Sequence, residues 1–250
     1  MACAAAPWQA GAQTCAAPDA QAVRVVAVDE GFDLLLADGR VATLAGVAAD
    51  PAAPGYQEFA RRLGGAEIRL APLSAKPDRW GRVAAAAFRE EGPDSLGEHM
   101  LKEGIARYRP DRDAKPCRDR LLAAETAARE AKRGLWAMAG AALDAGDAAA
   151  VSAAPKGLTI VEGRVLSIGE RRGRLYLNFG PRRTTDFTIV ISKRNLALFE
   201  AAHIPLRQMA GRRLRARGLV DRGFGPLMEI GNPDALELLD GDVRAAEVKQ

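Results

Sequence analysis

The residues with the clearest chemical potential in this sequence are arginines that lie beside turns and aromatic residues. The segment Asp78-Arg-Trp-Gly-Arg82 places Arg82 directly after a Trp-Gly turn. A guanidinium in that position can contact a phosphate, and it can equally pair with a buried acid or stack on the ring of Trp80. The pattern leaves both roles open.

A second group of arginines alternates along one predicted strand. Arg213, Arg215 and Arg217 recur with the two-residue period of a strand, so we expect them to share one face. With Tyr176 on a neighbouring predicted strand, this face is a candidate surface for stacking single-stranded nucleic acid. In the alternative arrangement, the aromatic residues point into a barrel and the arginines into water.

The sequence shows no metal-site spacing. It contains no Cys-x-x-Cys pair and only two histidines, His99 and His203, each alone near apolar residues of a predicted helix. We therefore predict partly exposed surface positions for both histidines and no resident metal.

Composition and charge describe a globular protein with a basic second half. The 250 residues are 48% hydrophobic and 27% charged, and no stretch approaches the roughly 20 apolar residues that span a membrane. Residues 1–155 hold 19 Lys/Arg against 21 Asp/Glu, whereas residues 156–240 hold 15 against 9. The excess fits a polyanionic partner, and it also fits arginines on a solvated surface.

The apolar patterns predict two β-rich domains. In the first half the predicted strands are 23–28, 33–36, 40–47, 67–70 and 83–88, and the predicted helices are 56–63, 95–104 and 118–133. Asp38-Gly39 predicts a tight hairpin, because this pair tolerates positive φ. The order is typical of an oligonucleotide/oligosaccharide-binding (OB) barrel with a helical annex.

The second half repeats this order without a residue-level repeat. Its predicted strands are 158–168, 175–179, 187–191, 212–220 and 227–230, with a helical stretch over 196–202. The fold class is therefore mainly β with α, as two tandem five-stranded OB-like barrels. The predicted divisions are an extended segment 1–21, a first domain 22–137, an Ala/Gly-rich linker 138–156, a basic barrel 157–240 and a tail 241–250.

The first domain resembles the thermonuclease (staphylococcal nuclease-like) family. The matching segments, in order, are Val28–Arg40, Leu44–Val47, Asp78–Arg82, Gly104–Ala106, Ala124–Glu125, Ala128–Arg129 and Gly134–Trp136. The resemblance implies the staphylococcal nuclease fold. It also implies phosphodiester cleavage with a calcium ion held by aspartates, a glutamate that activates water and two arginines.

Most of those functional positions carry residues that cannot do this chemistry. Aligned from the hairpin, the calcium aspartates fall on Phe32 and Ala48, the first arginine on Thr43 and the catalytic glutamate on Pro51. Only the second arginine is kept, as Arg82. The resemblance therefore argues against calcium-dependent cleavage.

Nearby carboxylates offer a partial substitute. Glu30, Asp33 and Asp50 lie close to the lost positions. A register slip in a strand would turn a side chain to the opposite face, so Asp50, in a loop, is the more plausible substitute. Asp50 and Arg82 are the candidate catalytic residues if a nuclease activity remains, and calcium is expected only in that case.

Three functional hypotheses follow. The first is a non-catalytic family member that binds nucleic acid, through its basic second domain, or a protein partner. The second is a divergent nuclease acting on DNA or RNA, and the third is a structural or adaptor module of the cell envelope.

The second domain resembles a module found behind thermonuclease-like domains in some bacterial exported proteins. The matching segments are Val161–Val165, Tyr176–Gly180, Asp186–Thr188, Gly211–Arg213, Arg217–Gly218 and Pro226–Glu229. The resemblance implies a periplasmic or secreted location, although no signal peptide is visible. Cysteines at 3, 15 and 117 leave one unpaired, and a local Cys3–Cys15 disulfide would suit an oxidising compartment.

Overall fold

The chain forms two compact units, Met1–Met138 and Ala139–Gln250. The computed structural model describes Cys15 and residues 20–90, 92–182, 184–223 and 225–240. The predicted tail 241–250, Cys3 and most of the predicted N-terminal segment lie outside these residues. Each unit has its own hydrophobic core. None of the described helices has the length and apolar character needed to cross a bilayer.

The first unit is built on a closed five-stranded barrel, as predicted. The strands of the unit, five of which form the barrel, are β1 (Gln21–Val28), β2 (Leu34–Leu36), β3 (Val41–Leu44), β4 (Val47–Ala49), β5 (Glu67–Pro72), β6 (Arg82–Phe88) and β7 (Ala106–Tyr108). The barrel order is β1-β2-β3-β6-β5, while β4 and β7 form a separate antiparallel pair. The predicted strand 40–47 is therefore two strands, divided near Gly46, whose φ is 75°.

The alternation of buried and outward-facing residues, together with the turn sequence, explains how β2 and its hairpin to β3 form. In β2, Leu34 and Leu36 are buried and Leu35 faces outward, which is the alternation expected of a strand with one covered face. The hairpin between β2 and β3 turns at Gly39, whose φ of 84° suits glycine. The predicted Asp-Gly hairpin is confirmed.

Three helices complete the first unit: α1 (Tyr56–Leu63), α2 (Leu96–Lys102) and α3 (Arg118–Glu130). Helix α2 begins with a capping box, in which Ser95 and Glu98 each bond to the other's backbone N–H. Gly97 lets this helix approach its neighbours, since a Cβ there would lie 2.9 Å from Val47 Cγ2 and 3.4 Å from Leu121 Cδ2. All three predicted helices are confirmed.

A disulfide joins Cys15 to Cys117, across 102 positions of sequence. The expectation of a local Cys3–Cys15 bond is wrong, because Cys117 lies at the start of α3 with its Cα 4.9 Å from that of Cys15. Arg120, in the first turn of α3, also contacts this segment: its Nη1 donates a hydrogen bond to the backbone carbonyl of Cys15 at 3.1 Å.

The second unit contains two four-stranded sheets and two short helices. Its elements are β8 (Leu143–Asp144), α4 (Ala148–Ala153), β9 (Thr159–Arg164), β10 (Ser167–Arg171), β11 (Arg174–Asn178), β12 (Thr188–Ser192), α5 (Leu196–Ala201), β13 (Arg213–Gly218), β14 (Leu227–Glu229) and β15 (Leu236–Leu238). The sheet orders are β10-β11-β12-β14 and β15-β13-β9-β8.

The predicted second closed barrel is not found among the described residues. The predicted strand 158–168 divides at Val165 and Leu166, and its halves enter different sheets. The Val165 N–H donates to Arg212 beside one sheet, whereas the Leu166 N–H donates to Asn178 in the other. The sequence pattern did not reveal this switch, because both halves are β-type runs.

The segment 138–156, predicted as a linker, contains β8 and α4. Val151 and Ala145 are buried in the second core, and β8 pairs in parallel with β9. Helix α4 is capped by Asp147, whose side chain accepts from Ala150 N at 2.9 Å. Short alanine-rich elements lack a strong periodic signal, so composition alone resembled a flexible connection.

Candidate functional site

Arg82, predicted to be the retained family arginine, is held between two carboxylates. Its Nη1 donates to Asp33 Oδ2 at 3.0 Å and its Nε donates to Asp78 Oδ2 at 2.9 Å. The other oxygen of Asp78 accepts from the backbone N–H groups of Trp80 and Arg82 at 2.9 and 3.0 Å. The Trp-Gly turn thus places Arg82 at the start of β6, while Asp33 reaches it from the end of the loop before β2.

The ionisation of this group follows from its hydrogen bonds. The bonds to Asp78 and then to Asp33 raise the pKa of Arg82, which therefore stays a cation. Desolvation alone would raise the pKa of Asp78, but the bonds from Arg82 and Trp80 outweigh it and lower that pKa. Asp78 is consequently a carboxylate at neutral pH.

Trp80 is an exposed aromatic residue flanked by two guanidiniums. Its exposed fraction is 62%, and the Cζ atoms of Arg79 and Arg82 lie 3.9 and 4.8 Å from its ring centroid. Arg79 forms no ion pair within the described part of the chain. The turn therefore presents a planar ring with cations against it and solvent above it.

Phe32, predicted to lie at the family position of the first calcium aspartate, lies in an aromatic cluster. Only 3% of it is exposed, and its ring centroid is 5.5 Å from that of Tyr56 and 5.9 Å from that of Phe59. Phe59 in turn stacks on His99 at 5.5 Å. A tight turn, in which Phe32 N donates to Asp29 O, gives Phe32 a φ of 66°. The position holds packed rings in place of an oxygen ligand.

The other three altered family positions carry small or apolar side chains. Thr43 lies in β3 opposite Ala84 of β6, Ala48 lies in β4, and Pro51 is exposed in the loop after β4. None of these side chains offers a carboxylate to a cation or to water, or a guanidinium to a phosphate. Arg82 is thus the one retained member of the set that the resemblance implied.

Asp50, the predicted substitute carboxylate, is engaged elsewhere. Its Oδ2 accepts from Arg107 Nη1 at 2.7 Å, and its Oδ1 accepts from Ala52 N at 3.0 Å. No hydrogen bond or ion pair is found between Asp50 and Arg82 in the described structure. The carboxylates that meet Arg82 are Asp33 and Asp78. Arg107 was not singled out from the sequence, where an arginine on a short strand carries no distinctive signal.

The residues of the first unit do not fit a calcium site at the family positions. Ca²⁺ takes six to eight oxygen ligands, and Phe32 and Ala48 supply no side-chain oxygen. Within the described ranges there is also no group of three or more His, Cys, Asp or Glu residues arranged to hold a metal. No catalytic step through calcium is therefore derived for this chain.

His99 is half-buried, which agrees with the partly exposed position predicted for it. Desolvation, followed by the charge of Arg89, lowers its pKa, so the ring is neutral at physiological pH. His203 is exposed, as expected.

The arginines proposed to bind nucleic acid in the second unit do not form one surface. Arg215 is buried, with Nε 2.7 Å from Glu162 and Nη1 2.8 Å from Glu237, and buried Arg217 also pairs with Glu237. Arg213 is exposed, and its N–H donates to Asp240. Tyr176 is half-buried on β11, in the other sheet.

The register of the sheet explains why Arg215 is buried. Arg215 faces Glu162 of β9 on one side and Glu237 of β15 on the other. A signal was present in the sequence, because Glu237 lies between two leucines and Glu162 directly follows Ile160 and Val161 in short β-type runs. Recognising it required knowing that these distant runs are neighbours.

The first unit belongs to a recognisable class, the OB-type barrel with accompanying helices. Residues 56–138 match the family described as Staphylococcal nuclease homologue. The chain therefore contains a staphylococcal nuclease-like domain, and the match includes Arg82 and the turn before it. No curated protein matches the chain.

The matched stretch begins at α1, after the four altered positions. Phe32, Thr43, Ala48 and Pro51 all precede residue 56. The part of the first unit that contains them is joined to the matched part through the closed barrel, in which β3 pairs with β6. The predicted resemblance of the second unit to a module of exported proteins stays a prediction.

Proposed function

We propose that the first unit is a non-catalytic staphylococcal nuclease-like domain that binds single-stranded nucleic acid. The observation that carries the proposal is Phe32, which fills the position of a calcium ligand with a buried ring packed on Tyr56 and Phe59. Recovering an oxygen ligand there would require the aromatic cluster to be rebuilt.

The ion pairs formed by Arg82 and Asp50 also support the proposal that the domain is non-catalytic. Arg82 is engaged by Asp33 and Asp78, and Asp50 is engaged by Arg107. Stabilising the transition state of phosphodiester cleavage requires positive charge aimed at the developing oxyanion, together with a base that activates water. The Arg82 group supplies one paired cation and no glutamate at the family position.

The exposed turn at Trp80 supports the proposal that the domain binds single-stranded nucleic acid. A ring with 62% exposure and two adjacent guanidiniums combines the two elements that single-strand binding uses, stacking on a base and attraction to the backbone. Trp80 buries little surface in its own fold, so its large apolar ring is available to a ligand.

A divergent nuclease is the second candidate function. The observation that favours it is the retention of Arg82 in a well-formed site, where Asp33 is a buried carboxylate within hydrogen-bond distance. In that case Asp33 would replace Asp50 as the candidate catalytic carboxylate.

A cleavage assay separates the two candidates. Fluorogenic DNA and RNA substrates are incubated with the full chain in calcium or in EDTA, beside Arg82→Ala. For each substrate, we expect equal, background-level signals in all four combinations of protein and metal condition. Calcium-dependent cleavage that disappears in Arg82→Ala would overturn the non-catalytic proposal and establish a nuclease.

A binding assay tests the proposed surface directly. Anisotropy of a labelled single-stranded oligonucleotide is measured with the wild type, Trp80→Ala and Trp80→Phe. Stacking contributes about 1–3 kcal/mol per base, so Trp80→Ala should weaken binding at least about fivefold, whereas Trp80→Phe should largely retain it. Equal affinities for all three proteins would remove the turn as a binding site.

We also propose a periplasmic or secreted location. The Cys15–Cys117 disulfide supports it, because such bonds persist in oxidising compartments. Trapping the free thiols of the protein in intact cells tests this, and an alkylated Cys117 would contradict it.

A further inference from the structure

The second unit carries a cluster of unpaired cations at one end of its β10-β11-β12-β14 sheet. Arg171 and Arg174 face each other directly across the β10–β11 hairpin. Arg172 occupies the turn between them, and all three are exposed. None of the three forms an ion pair within the described part of the chain.

Two further cations join this cluster from the end of β12. Arg174 is paired in register with Ser192, and the Lys193 N–H donates to Gly173 O at 2.8 Å. Lys193 and Arg194 are therefore held beside the hairpin, and both are exposed without an ion pair to any described residue. The hairpin cluster is the set Arg171, Arg172, Arg174, Lys193 and Arg194.

The described residues do not balance the charges of the hairpin cluster. Like charges directly opposite each other in an antiparallel pair are destabilising. The one acid of the hairpin, Glu170, is engaged by Arg207 at 3.3 Å. An external anion is the natural counter-charge for five cations brought together in this way.

The turn itself indicates that charge is placed here against local preference. Arg172 and Gly173 have φ of 50° and 74°, the pattern of a two-residue turn in which Asn or Gly is favoured at the first position. A bulky residue with positive φ is uncommon. Arg172 therefore occupies a position where its side chain gives the turn no conformational advantage.

The same sheet face provides an aromatic ring beside the cations. Tyr176 lies two residues after Arg174, so the alternation of the strand puts both side chains on one face. Its neighbours across the sheet are Gly169, which has no side chain, and Val190. Tyr176 is half-buried, so the residue is partly accessible to solvent.

We propose that the hairpin cluster binds the phosphate backbone of single-stranded nucleic acid, with Tyr176 as the stacking residue. Cations alone would also attract an anionic membrane, but the run Gly169–Arg174 contains no large apolar side chain to enter a bilayer. A ring beside the cations instead matches recognition of backbone and base. This surface is distinct from the Trp80 turn and does not depend on it.

The test uses the full chain and a fluorescein-labelled oligothymidylate about 20 nucleotides long. Anisotropy titrations run from about 50 to about 200 mM salt for the wild type and for Arg171→Gln/Arg172→Asn/Arg174→Gln. Asparagine is chosen at position 172 because it tolerates positive φ. The exposed sites make loss of folding a minor risk, and far-UV circular dichroism checks it.

A matched control removes the same charge elsewhere. Arg24→Gln/Arg61→Gln/Arg62→Gln neutralises three exposed arginines that pair with Glu67 and Glu58. The hairpin variant should bind about tenfold more weakly, and the slope of log K against log salt should fall by about two, as loss of three phosphate contacts predicts. The control should keep the wild-type slope.

Several outcomes would overturn the proposal. They are wild-type binding by the hairpin variant, an equal loss in the control, and binding to phosphatidylserine vesicles without binding to the oligonucleotide. Trp80→Ala, measured in parallel, separates the two surfaces. If Trp80→Ala weakens binding and the hairpin variant does not, only the hairpin proposal fails; the reverse result leaves it standing without the Trp80 turn.

Discussion

Phe32 and Arg82, both predicted to lie at functional positions of the family, have different surroundings. Phe32 became part of the core, where 3% of the residue is exposed. Arg82 kept its residue type but is engaged by Asp33, a side chain 49 positions earlier that is 9% exposed. At position 32 the residue type itself provides no metal ligand. At position 82 the guanidinium is present, but it is hydrogen-bonded to Asp33 and Asp78.

Replacing Phe32 by alanine should destabilise the first unit. Removing a buried phenyl ring from the cluster with Tyr56 and Phe59 leaves a cavity, and such changes cost about 3–5 kcal/mol. The measurement is urea unfolding followed by tryptophan fluorescence. Leu35→Ala, in the adjacent strand and partly exposed, is the control and should cost less. A loss below about 1 kcal/mol would contradict the packed cluster.

Arg82 and Asp33 should be energetically coupled. Arg82→Ala leaves the buried Asp33 carboxylate with one charge partner fewer, and we expect a loss of about 2 kcal/mol, less than for a fully buried pair because Arg82 is partly exposed. Adding Asp33→Asn should recover part of that loss. Chemical denaturation of the two single variants and the double variant measures the coupling, and strictly additive effects would show that the pair contributes nothing.

At the scale of elements, α2 links stability to pH. The helix is anchored by its Ser95–Glu98 capping box, and its His99 stacks on Phe59. Desolvation and then Arg89 lower the pKa of His99; Lys102 acts in the same direction, while Glu103 and Asp94 oppose it. A neutral histidine is therefore built into the contact between α2 and α1.

Stability should fall as the pH drops below the ordinary His pKa of 6.5. The unfolded chain takes up a proton there while folded His99 stays neutral, so the unfolded state binds more protons and gains free energy relative to the folded state. His99→Gln should reduce this dependence, and His203→Gln should not. Urea unfolding at pH values between about 5 and about 7.5 provides the comparison. Equal pH dependence in wild type and His99→Gln would contradict the expectation.

At the scale of the whole molecule, two separate cores share one chain, and the described disulfide lies in the first unit. Cys15 and Cys117 close a long loop within Met1–Met138. The two tryptophans among the described residues, Trp80 and Trp136, also belong to that unit, and the sequence has no tryptophan after position 136. Tryptophan fluorescence therefore reports on the unit that contains the disulfide.

Reduction should weaken the first unit selectively. Cross-linking constrains the unfolded chain, and loss of a native disulfide typically costs about 2–4 kcal/mol. With dithiothreitol, the fluorescence-detected urea midpoint should decrease. Hydrogen exchange of β9 and β13, which lie in the second unit, should not change. Cys15→Ser/Cys117→Ser should reproduce the shift, and an equal loss of protection in β9 and β13 would contradict independent cores.

The features predicted successfully are those that depend on short stretches of chain. The Asp38-Gly39 turn, the three helices of the first unit and the five barrel strands follow from turn chemistry and apolar periodicity. Phe32 and Ala48 carry no side-chain oxygen, so the prediction that they bind no calcium rests on residue type alone and stays a prediction. Local signals failed at 138–156, where β8 and α4 are too short to show a period.

Tertiary structure alone decided which charged groups face solvent and which meet each other. The two-residue period of the strand puts Arg213, Arg215 and Arg217 on one face. Arg215 is nevertheless buried and pairs with Glu162 and Glu237, which come from strands that are distant in sequence but adjacent in the sheet. Cations without an ion pair to any described residue lie instead at the β10–β11 turn, among other places. The pairing of Cys15 with Cys117 was likewise decided by which chain segments meet. The physical reason is that residue type and periodicity determine what a side chain can do and which way it points, whereas burial and pairing depend on the segment that packs against it.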